Sequence, residues 1–152
     1  QIGTPQQVFD HPANLFVAGF IGTPQMNFFD AKLLKEDGKY SVSVGGCKIL
    51  LPEAKQAALT AKNVTSQAIT LGVRPSHISL GDGENTLSAT VDVSEMMGSE
   101  VHLHANAQGR DVVIIVPTID HRESFTSGSQ IHFTFSGSVC HLFDSEGTNL
   151  EA

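Results

Sequence analysis

Apolar and polar residues alternate along most of the second half of this chain, and this alternation limits the folds that it can adopt. In the clearest run, residues 87–94, one predicted face carries Leu87, Ala89, Val91 and Val93. Successive side chains of a strand point to opposite faces of a sheet, so a period of two predicts strands with one buried face. Similar runs occur at residues 101–106 and 131–135. The second half is therefore predicted to be antiparallel sheet.

The chain begins with a different pattern, which predicts a short helical lead. Thr4-Pro5 indicates a helix start, because threonine caps helix N-termini and proline suits the first helical position. His11-Pro12 ends this helix, since a proline disfavours helix in the residue before it. A second short helix is expected to run through Phe20.

Turn signals divide the rest of the chain into about ten short strands. Asp37-Gly38 and Gly45-Gly46 are typical hairpin turns, and Gly98 is expected to form a tight bend between two long strands. The polar, alanine-rich stretch 52–67 is predicted to be a loop that includes at most a turn of helix. We therefore predict a mainly β fold, a barrel or sandwich of antiparallel sheet.

The composition excludes several classes of function. The chain has 152 residues, of which 40% are hydrophobic and 16% charged, as expected for a folded domain. Nine Lys and Arg residues oppose 16 Asp and Glu residues, for a net charge of −7. Without a basic face, the chain is not expected to bind nucleic acid or an anionic membrane. Cys47 and Cys140 are predicted to be free thiols in a reducing compartment.

None of the common nucleotide-binding or hydrolase motifs occurs in the sequence. A phosphate-binding loop ends in Gly-Lys followed by Ser or Thr, whereas Gly38-Lys39 precedes Tyr40 in a predicted hairpin. The run Ser127 to Gln130 resembles part of a transport-ATPase signature, but a strand pattern follows it where that signature needs a helix. We therefore expect no catalytic residue and no cofactor-binding residue in this chain.

The histidines allow a metal-site hypothesis. His102 and His104 share one face of a predicted strand, and two imidazoles on one face can begin a zinc site. A third ligand would have to come from His132, His141, Cys140 or a carboxylate. The simpler interpretation is the polar, solvated face of a half-buried strand, and we predict no metal ligand.

Four ordered motifs carry far more specific information. They are the run from Pro12 to Phe28 (PANLFVAGFIGTPQMNF), Leu71–Ile78, Glu95–Glu100 and His141–Asp144. Together they resemble the region that follows the nucleotide-binding domain in ATP-binding subunits of maltose-importer-type ABC transporters. Ser76 stands where that family usually has glutamate. The resemblance spans nearly the whole chain.

The resemblance implies a C-terminal regulatory region built from small oligonucleotide-binding-like (OB-like) barrels of the type called TOBE. Residues 1–22 would be the helical tail of an upstream nucleotide-binding domain, and residues 23–152 the regulatory β domain, with subdomains at about 23–72 and 73–152. The family uses this region as a non-catalytic dimerisation and regulatory element. ATP and Mg would bind the upstream domain, which is expected to precede Gln1.

The same resemblance implies partners and a location. The expected partners are a second copy in a homodimer, the upstream nucleotide-binding domain, the membrane-embedded permease subunits and, in some members, a regulatory protein. The parent protein would lie at the cytoplasmic face of the cell membrane. The alternative function is a sensor for an oxyanion or a sugar, because related barrels in oxyanion importers bind their anion between paired domains. Sparse lysine and arginine in the second half argue against the oxyanion.

Nine residues of these motifs are structural or interface candidates, namely Phe20, Gly22, Pro24, Met26, Asn27, Arg74, Pro75, His77 and Gly98. Gly22 and Pro24 would break the last helix, and Met26 would pack between the lead and the barrel. Asn27 is expected to satisfy backbone groups at the turn. Arg74 would fix an extended connection and bridge the two barrel halves or a partner's carboxylate.

Overall fold

Both predicted N-terminal helices are present in the structure, a computed structural model that describes residues 3–20, 25–81, 85–118 and 125–151. Helix α1 spans Pro5–Asp10 and α2 spans Leu15–Phe20. Thr4 caps α1, because its hydroxyl accepts from Gln7 N at 3.2 Å while the Gln7 side chain accepts from Thr4 N at 3.0 Å. This reciprocal pair satisfies two backbone donors at the start of the helix.

Ten strands occur among the described residues, and the prediction of a mainly β fold is confirmed. They are β1 (Asn27–Glu36), β2 (Lys39–Val44), β3 (Cys47–Leu50), β4 (Gln67–Val73), β5 (Ser79–Leu80), β6 (Leu87–Met97), β7 (Glu100–Ala107), β8 (Arg110–Pro117), β9 (Gln130–Thr134) and β10 (His141–Phe143). One sheet has the order β10-β4-β1-β2-β3 and the other the order β5-β9-β6-β7-β8. All neighbouring strands are antiparallel.

The last strand returns to the first sheet, which curls toward a barrel. Leu142 of β10 pairs with Leu71 of β4, so the end of the chain extends the sheet that β1 to β4 form. Gly137, just before β10, lies so close to the end of β3 that an added Cβ would be 2.5 Å from Leu50 O. The two ends of this sheet therefore approach each other. The division into subdomains at about residue 72 stays a prediction.

A single large core joins the two sheets. Phe29 of β1 is 1% exposed and packs on Phe133 of β9 and on Phe135, with ring centroids 6.1 and 6.0 Å apart. Tyr40 of β2 is fully buried, and its hydroxyl donates to Val64 O at 2.6 Å. Apolar burial between the sheets thus stabilises both, and the one polar atom of the Tyr40 ring is satisfied.

The prediction of a loop at residues 52–67 is wrong over most of its length. The structure has helix α3 at Glu53–Ala61, in which Leu59 is the buried side chain. With one apolar anchor, the stretch has no clear helical periodicity. Gln56 attaches the helix to β2, because its side chain accepts a hydrogen bond from Tyr40 N and donates one to Tyr40 O, both at 2.7 Å. Tertiary hydrogen bonds therefore fix a helix that propensity alone only allows.

The predicted common face of residues 87–93 is wrong at its last member. Leu87, Ala89 and Val91 are buried, whereas Val93 is 55% exposed. The pairing of β6 with β7 shifts register between Val91 and Val93. The extra residue forms a β-bulge, which turns Val93 to the opposite face of the sheet.

Two asparagine side chains bond to edge strands as a neighbouring strand would. Asn27 Nδ2 donates to Val113 O of β8, and Asn27 Oδ1 accepts from Val113 N, both at 2.8 Å. Asn85 makes the same pair of bonds with Lys48 of β3, at 2.8 and 3.1 Å. An edge strand has one row of backbone groups without a neighbour. The Asn27 amide therefore joins the first sheet to the second, whereas the sequence analysis expected it to bond at the turn.

We expect Asn27→Ala to lower the free energy of unfolding by about 2–4 kcal/mol, because it leaves a backbone donor and acceptor of Val113 without a partner. Asn27 is only 5% exposed, so water reaches these groups poorly. Urea denaturation of the two proteins measures the difference.

Asn85→Gly is the matched control for this prediction. It removes the same two kinds of bond at an exposed site. Asn85 has a φ of 63°, which glycine adopts without strain. Water can replace the lost bonds, so the expected loss is below about 1 kcal/mol. Equal losses in the two variants would contradict the role assigned to Asn27.

Candidate functional site

The site candidates around β1 build a junction between the helical lead and the first sheet. Met26 is 4% exposed and forms a small apolar cluster with Ala18 of α2 and Phe143 of β10. Two partly buried side chains, Leu15 and Phe28, pack against this cluster. Gly72 leaves the space that the cluster occupies, because a Cβ there would meet the side chains of Met26 and Phe143. Met26 thus packs between lead and barrel, as the sequence analysis expects.

Arg74 is a buried cation in the same junction. It is 2% exposed, and its Nη1 donates to Ala18 O of α2 at 3.4 Å. Its backbone is extended, with φ −67° and ψ 143°, and the buried Pro75 begins a 3₁₀ helix, Pro75–His77. The guanidinium therefore bridges the lead and the barrel within one chain, and its contact with a partner's carboxylate stays a prediction. His77 lies exposed at the end of the 3₁₀ helix.

The remaining site candidates divide between the lead and the β6–β7 turn. Gly22 and Pro24 lie outside the described residues. Phe20 is the last residue of α2, and its side chain also lies outside the described part of the chain. Gly98 occupies the turn between β6 and β7 with a φ of +70°, a conformation that strongly favours glycine.

Basic side chains from several segments surround His141 of β10. Burial first, and then positive neighbours, lower the pKa of His141 to about 4. Those neighbours are Lys55 of α3, Arg74, His77 and His11. The carboxylate of Glu151 accepts two bonds of 2.9 Å from Lys55 Nζ and offsets part of this charge. His141 is therefore neutral at pH 7, and its protonation would add charge where cations already meet.

The β6–β7 hairpin carries an exposed apolar patch near its tip. Val93, Met96 and Met97, which we call the hairpin patch, are 55%, 60% and 53% exposed, and the β6–β7 register places Val93 and Met97 on one face of the hairpin and Met96 on the other. Among the described residues, Leu50 of β3 is the other large apolar side chain with comparable exposure. The patch lies beyond the segment of β6 that pairs with β9, which is residues 87–90. Grouped exposed apolar residues mark interaction sites more often than isolated ones do.

Two histidine–glutamate pairs lie on the same hairpin. His102 Nε2 is 3.2 Å from Glu100 Oε2, and His104 Nε2 contacts Glu95 Oε1. Across residues 3–20, 25–81, 85–118 and 125–151, no three His, Cys, Asp or Glu side chains are placed to hold a metal ion. The two histidines of the metal hypothesis thus have carboxylate partners, which orient the imidazoles along the sheet.

An open cleft of about 720 Å³ lies beside the hairpin tip. Its lining comes from the 3₁₀ helix, the β6–β7 turn and the end of β8, and consists of Ser76, Ser99, Glu100, Ile115, Val116, Pro117 and Thr118. Thr118 N donates to Ser99 O at 2.8 Å, and the Thr118 hydroxyl donates to Gly98 O at 3.0 Å. These bonds lock the end of β8 onto the turn. The end of β8 and the β6–β7 turn, which both line the cleft, are therefore held together by hydrogen bonds.

Comparison with known families explains this architecture. The MalK OB fold domain matches residues 22–78, and the TOBE domain matches residues 71–143. The two matches overlap at residues 71–78, from the end of β4 through Arg74 and the 3₁₀ helix, and together include all ten described strands. The chain contains a MalK-type OB-fold domain followed by a TOBE domain. The OB-like, TOBE-type fold that the motifs predict is confirmed.

Relatives of this TOBE-type chain are ATP-binding proteins of ABC transporters. The chain is 34% identical over 152 residues to the oligosaccharides import ATP-binding protein MsmX of Bacillus subtilis. It is 38% identical over 152 residues to the multiple sugar-binding transport ATP-binding protein MsmK of Streptococcus mutans. Each alignment covers 96% of this chain but 40% and 39% of the relatives. The chain thus spans about two fifths of the length of the curated relatives it matches.

A solved structure shares the fold. It is the cytoplasmic molybdate-binding protein ModG in a molybdate-bound crystal form, with a TM-score of 0.58 and 17% identity, covering 76% of this chain and 94% of that chain. A likeness at this identity supports the fold alone. In the described part of the TOBE-type chain, no helix is long and apolar enough to cross a membrane.

The alternation of residue types predicts neither the hairpin patch nor the cleft. Met96 and Met97 belong to the motif Glu95–Glu100, and the alternation predicts a buried Val93. The bulge that exposes Val93 leaves no trace in the alternation of residue types. Two adjacent methionines before a turn glycine were the available signal, because neighbouring residues of a strand cannot both face one core.

His141 makes the stability of the junction depend on pH. Its folded pKa of about 4 lies below the ordinary value of 6.5, so between these values the unfolded chain binds a proton that the folded chain does not. The contribution to stability is complete above pH 6.5 and declines as the pH falls toward 4. We expect a loss of roughly 2–3 kcal/mol between neutral pH and the folded pKa, measured by urea denaturation at several pH values.

His141→Gln separates this titration from all the others. The variant keeps a polar side chain of similar length but cannot take up the proton. Its stability should therefore fall less than that of the wild type on acidification, although every other titratable group is retained. Parallel pH profiles for the two proteins would show that His141 does not control the effect.

Proposed function

We propose that this chain is the non-catalytic C-terminal regulatory and dimerisation region of the ATP-binding subunit of an ABC importer for sugars or related solutes. The observation that carries the dimerisation role is the hairpin patch on a projecting hairpin. The names of the relatives MsmX and MsmK, which concern import of oligosaccharides and multiple sugars, support the solute class. ATP and Mg²⁺ would bind an upstream domain of the parent protein, and this region itself would turn over no ATP.

A two-fold dimer suits a patch of this kind. Identical patches can meet about a two-fold axis, so that each copy covers the apolar side chains of the other. Methionine side chains adapt to an irregular partner surface at low cost. Each chain has a net charge of −7, which opposes association.

The lead junction supports the regulatory part of the proposal. Helix α2 is attached to the barrel by the Met26 cluster and by the bond from Arg74 to Ala18 O. An upstream domain joined through this lead would hold a defined position relative to the barrel. We propose that the parent protein lies at the cytoplasmic face of the membrane, with permease subunits and a regulatory protein as partners. No nucleic-acid partner is proposed, because the chain is acidic.

A second candidate function is that of a sensor for a small ligand, an oxyanion or a sugar. The cleft beside the hairpin tip favours it, because concave sites of about 300–1,000 Å³ hold small molecules. Among the residues that the structure describes, the lining contains one carboxylate and no Lys, Arg or His. An oxyanion site needs convergent donors or cations, so the lining favours the sugar. A thermal-shift panel of oxyanions, sugars and sugar phosphates separates these ligands.

Sedimentation equilibrium over a concentration series tests the dimer. The proposal expects the mass to rise from that of one 16.2 kDa chain toward that of two. Met96→Lys combined with Met97→Lys should weaken association at least about tenfold, because charged side chains would be taken out of water at the contact.

Leu50→Lys is the matched control for the dimer. Leu50 is 63% exposed, which is as much as the methionines, but it lies on β3 of the other sheet. The control should associate like the wild type, and circular dichroism shows whether each variant keeps its fold. A wild-type chain that stays monomeric throughout, or a control that weakens association equally, would overturn the assignment to the hairpin patch.

A further inference from the structure

The lining of the cleft contains three kinds of surface. Hydroxyl groups come from Ser76, Ser99 and Thr118, and an apolar wall comes from Ile115, Val116 and Pro117. Glu100 is the one charged residue in the described part of the lining. The described part of the cleft therefore offers neutral hydroxyls and one anion beside hydrocarbon.

Glu100 is oriented and still able to accept hydrogen bonds. Its Oε2 lies 3.2 Å from His102 Nε2, which fixes the direction of the carboxylate. Within the described residues, its Oε1 has no hydrogen-bond partner. The side chain is 52% exposed, so a ligand entering from solvent can reach this oxygen.

The hydroxyls of Ser76 and Ser99 come from two different segments that line the cleft. Ser76 lies in the 3₁₀ helix that begins with the buried Pro75, and Ser99 lies in the turn to which Thr118 N is bonded. Both serines are exposed, and both are carried by backbone that hydrogen bonds hold in place. A ligand between them would meet groups that are already positioned, which lowers the entropic cost of binding.

We infer that this cleft binds a neutral polyol, a saccharide or a sugar alcohol. Ligand hydroxyls would donate charge-assisted hydrogen bonds to Glu100, and the serine hydroxyls would bond to further oxygens. The aliphatic C–H face of the ligand would pack on Ile115 and Pro117. An anionic ligand would be repelled by Glu100, and an apolar one would leave the carboxylate and hydroxyls without hydrogen bonds.

This site deepens the sensing role proposed above and lies next to the hairpin patch. Thr118 Oγ1, in the wall of the cleft, is 3.7 Å from Met96 Sδ. Ser99 and Glu100 belong to the same hairpin as Met96 and Met97. A polyol in the cleft would therefore contact the turn that supports the patch. We expect binding to change the association of two copies wherever the patch forms their contact.

Nuclear magnetic resonance titration of the whole chain tests the site directly. The probes are maltose, methyl α-D-glucoside and sorbitol as neutral polyols, with glucose 6-phosphate and molybdate as anions. At least one neutral probe should give saturable shifts of the amide signals of Ser76, Ser99, Glu100 and Thr118. Glu100→Gln should weaken that binding about tenfold, because a charge-assisted acceptor is lost.

Glu95→Gln is the matched control, since Glu95 also contacts a histidine on this hairpin but does not line the cleft. It should bind the probe within about twofold of the wild type. Absence of saturable shifts with every neutral probe, stronger binding of an anion, or equal weakening by both variants would overturn the inference. Sedimentation without probe reports on the dimer separately, so a failed dimer and a failed polyol site give different results.

Discussion

The two hydrogen bonds between the Asn27 amide and Val113 determine how the two sheets meet. Val113 lies on an edge strand, and its backbone groups point toward a side chain that is only 5% exposed. Buried backbone groups without partners are costly, so the start of β1 must lie beside β8. Asn27 pairs with Val73, the residue before Arg74. The lead junction, the buried arginine and the 3₁₀ helix of the cleft are therefore all positioned by this contact.

Three side-chain amides bond to backbone groups as a neighbouring strand would. Asn27, Asn85 and Gln56 each bond to both the N–H and the C=O of a single residue. A carboxamide presents a donor and an acceptor side by side, as a peptide group does. Each amide thus pairs with one residue as a residue of a neighbouring strand would. Side-chain bonds of this kind let two five-stranded sheets join without a continuous barrel of backbone hydrogen bonds between them.

The alternation of apolar and polar residues predicted most of the strands and the residues that face the core. Capping residues and prolines predicted both lead helices, and Gly98 predicted the turn between β6 and β7. The same period could not predict the bulge before Val93, because a bulge changes the register of pairing and not the residue types. The apolar pattern did not predict helix α3, because hydrogen bonds from Gln56 to Tyr40 hold this helix where other helices have several buried apolar side chains. The cleft and the partner of Asn27 depend on contacts between segments far apart in sequence, which no local pattern records.

The exposed half of β6 is hard to explain by the stability of the fold alone. On β7, Val101 and Leu103 are 2% and 0% exposed, whereas Met96, opposite Val101, is 60% exposed. The hairpin thus extends past the part of the sheet that its core requires, and the bulge adds Val93 to the exposed apolar surface. Exposing three apolar side chains on a projecting hairpin favours uncontrolled aggregation unless a partner covers them. A partner surface over the hairpin patch, as proposed above, would take these side chains out of water.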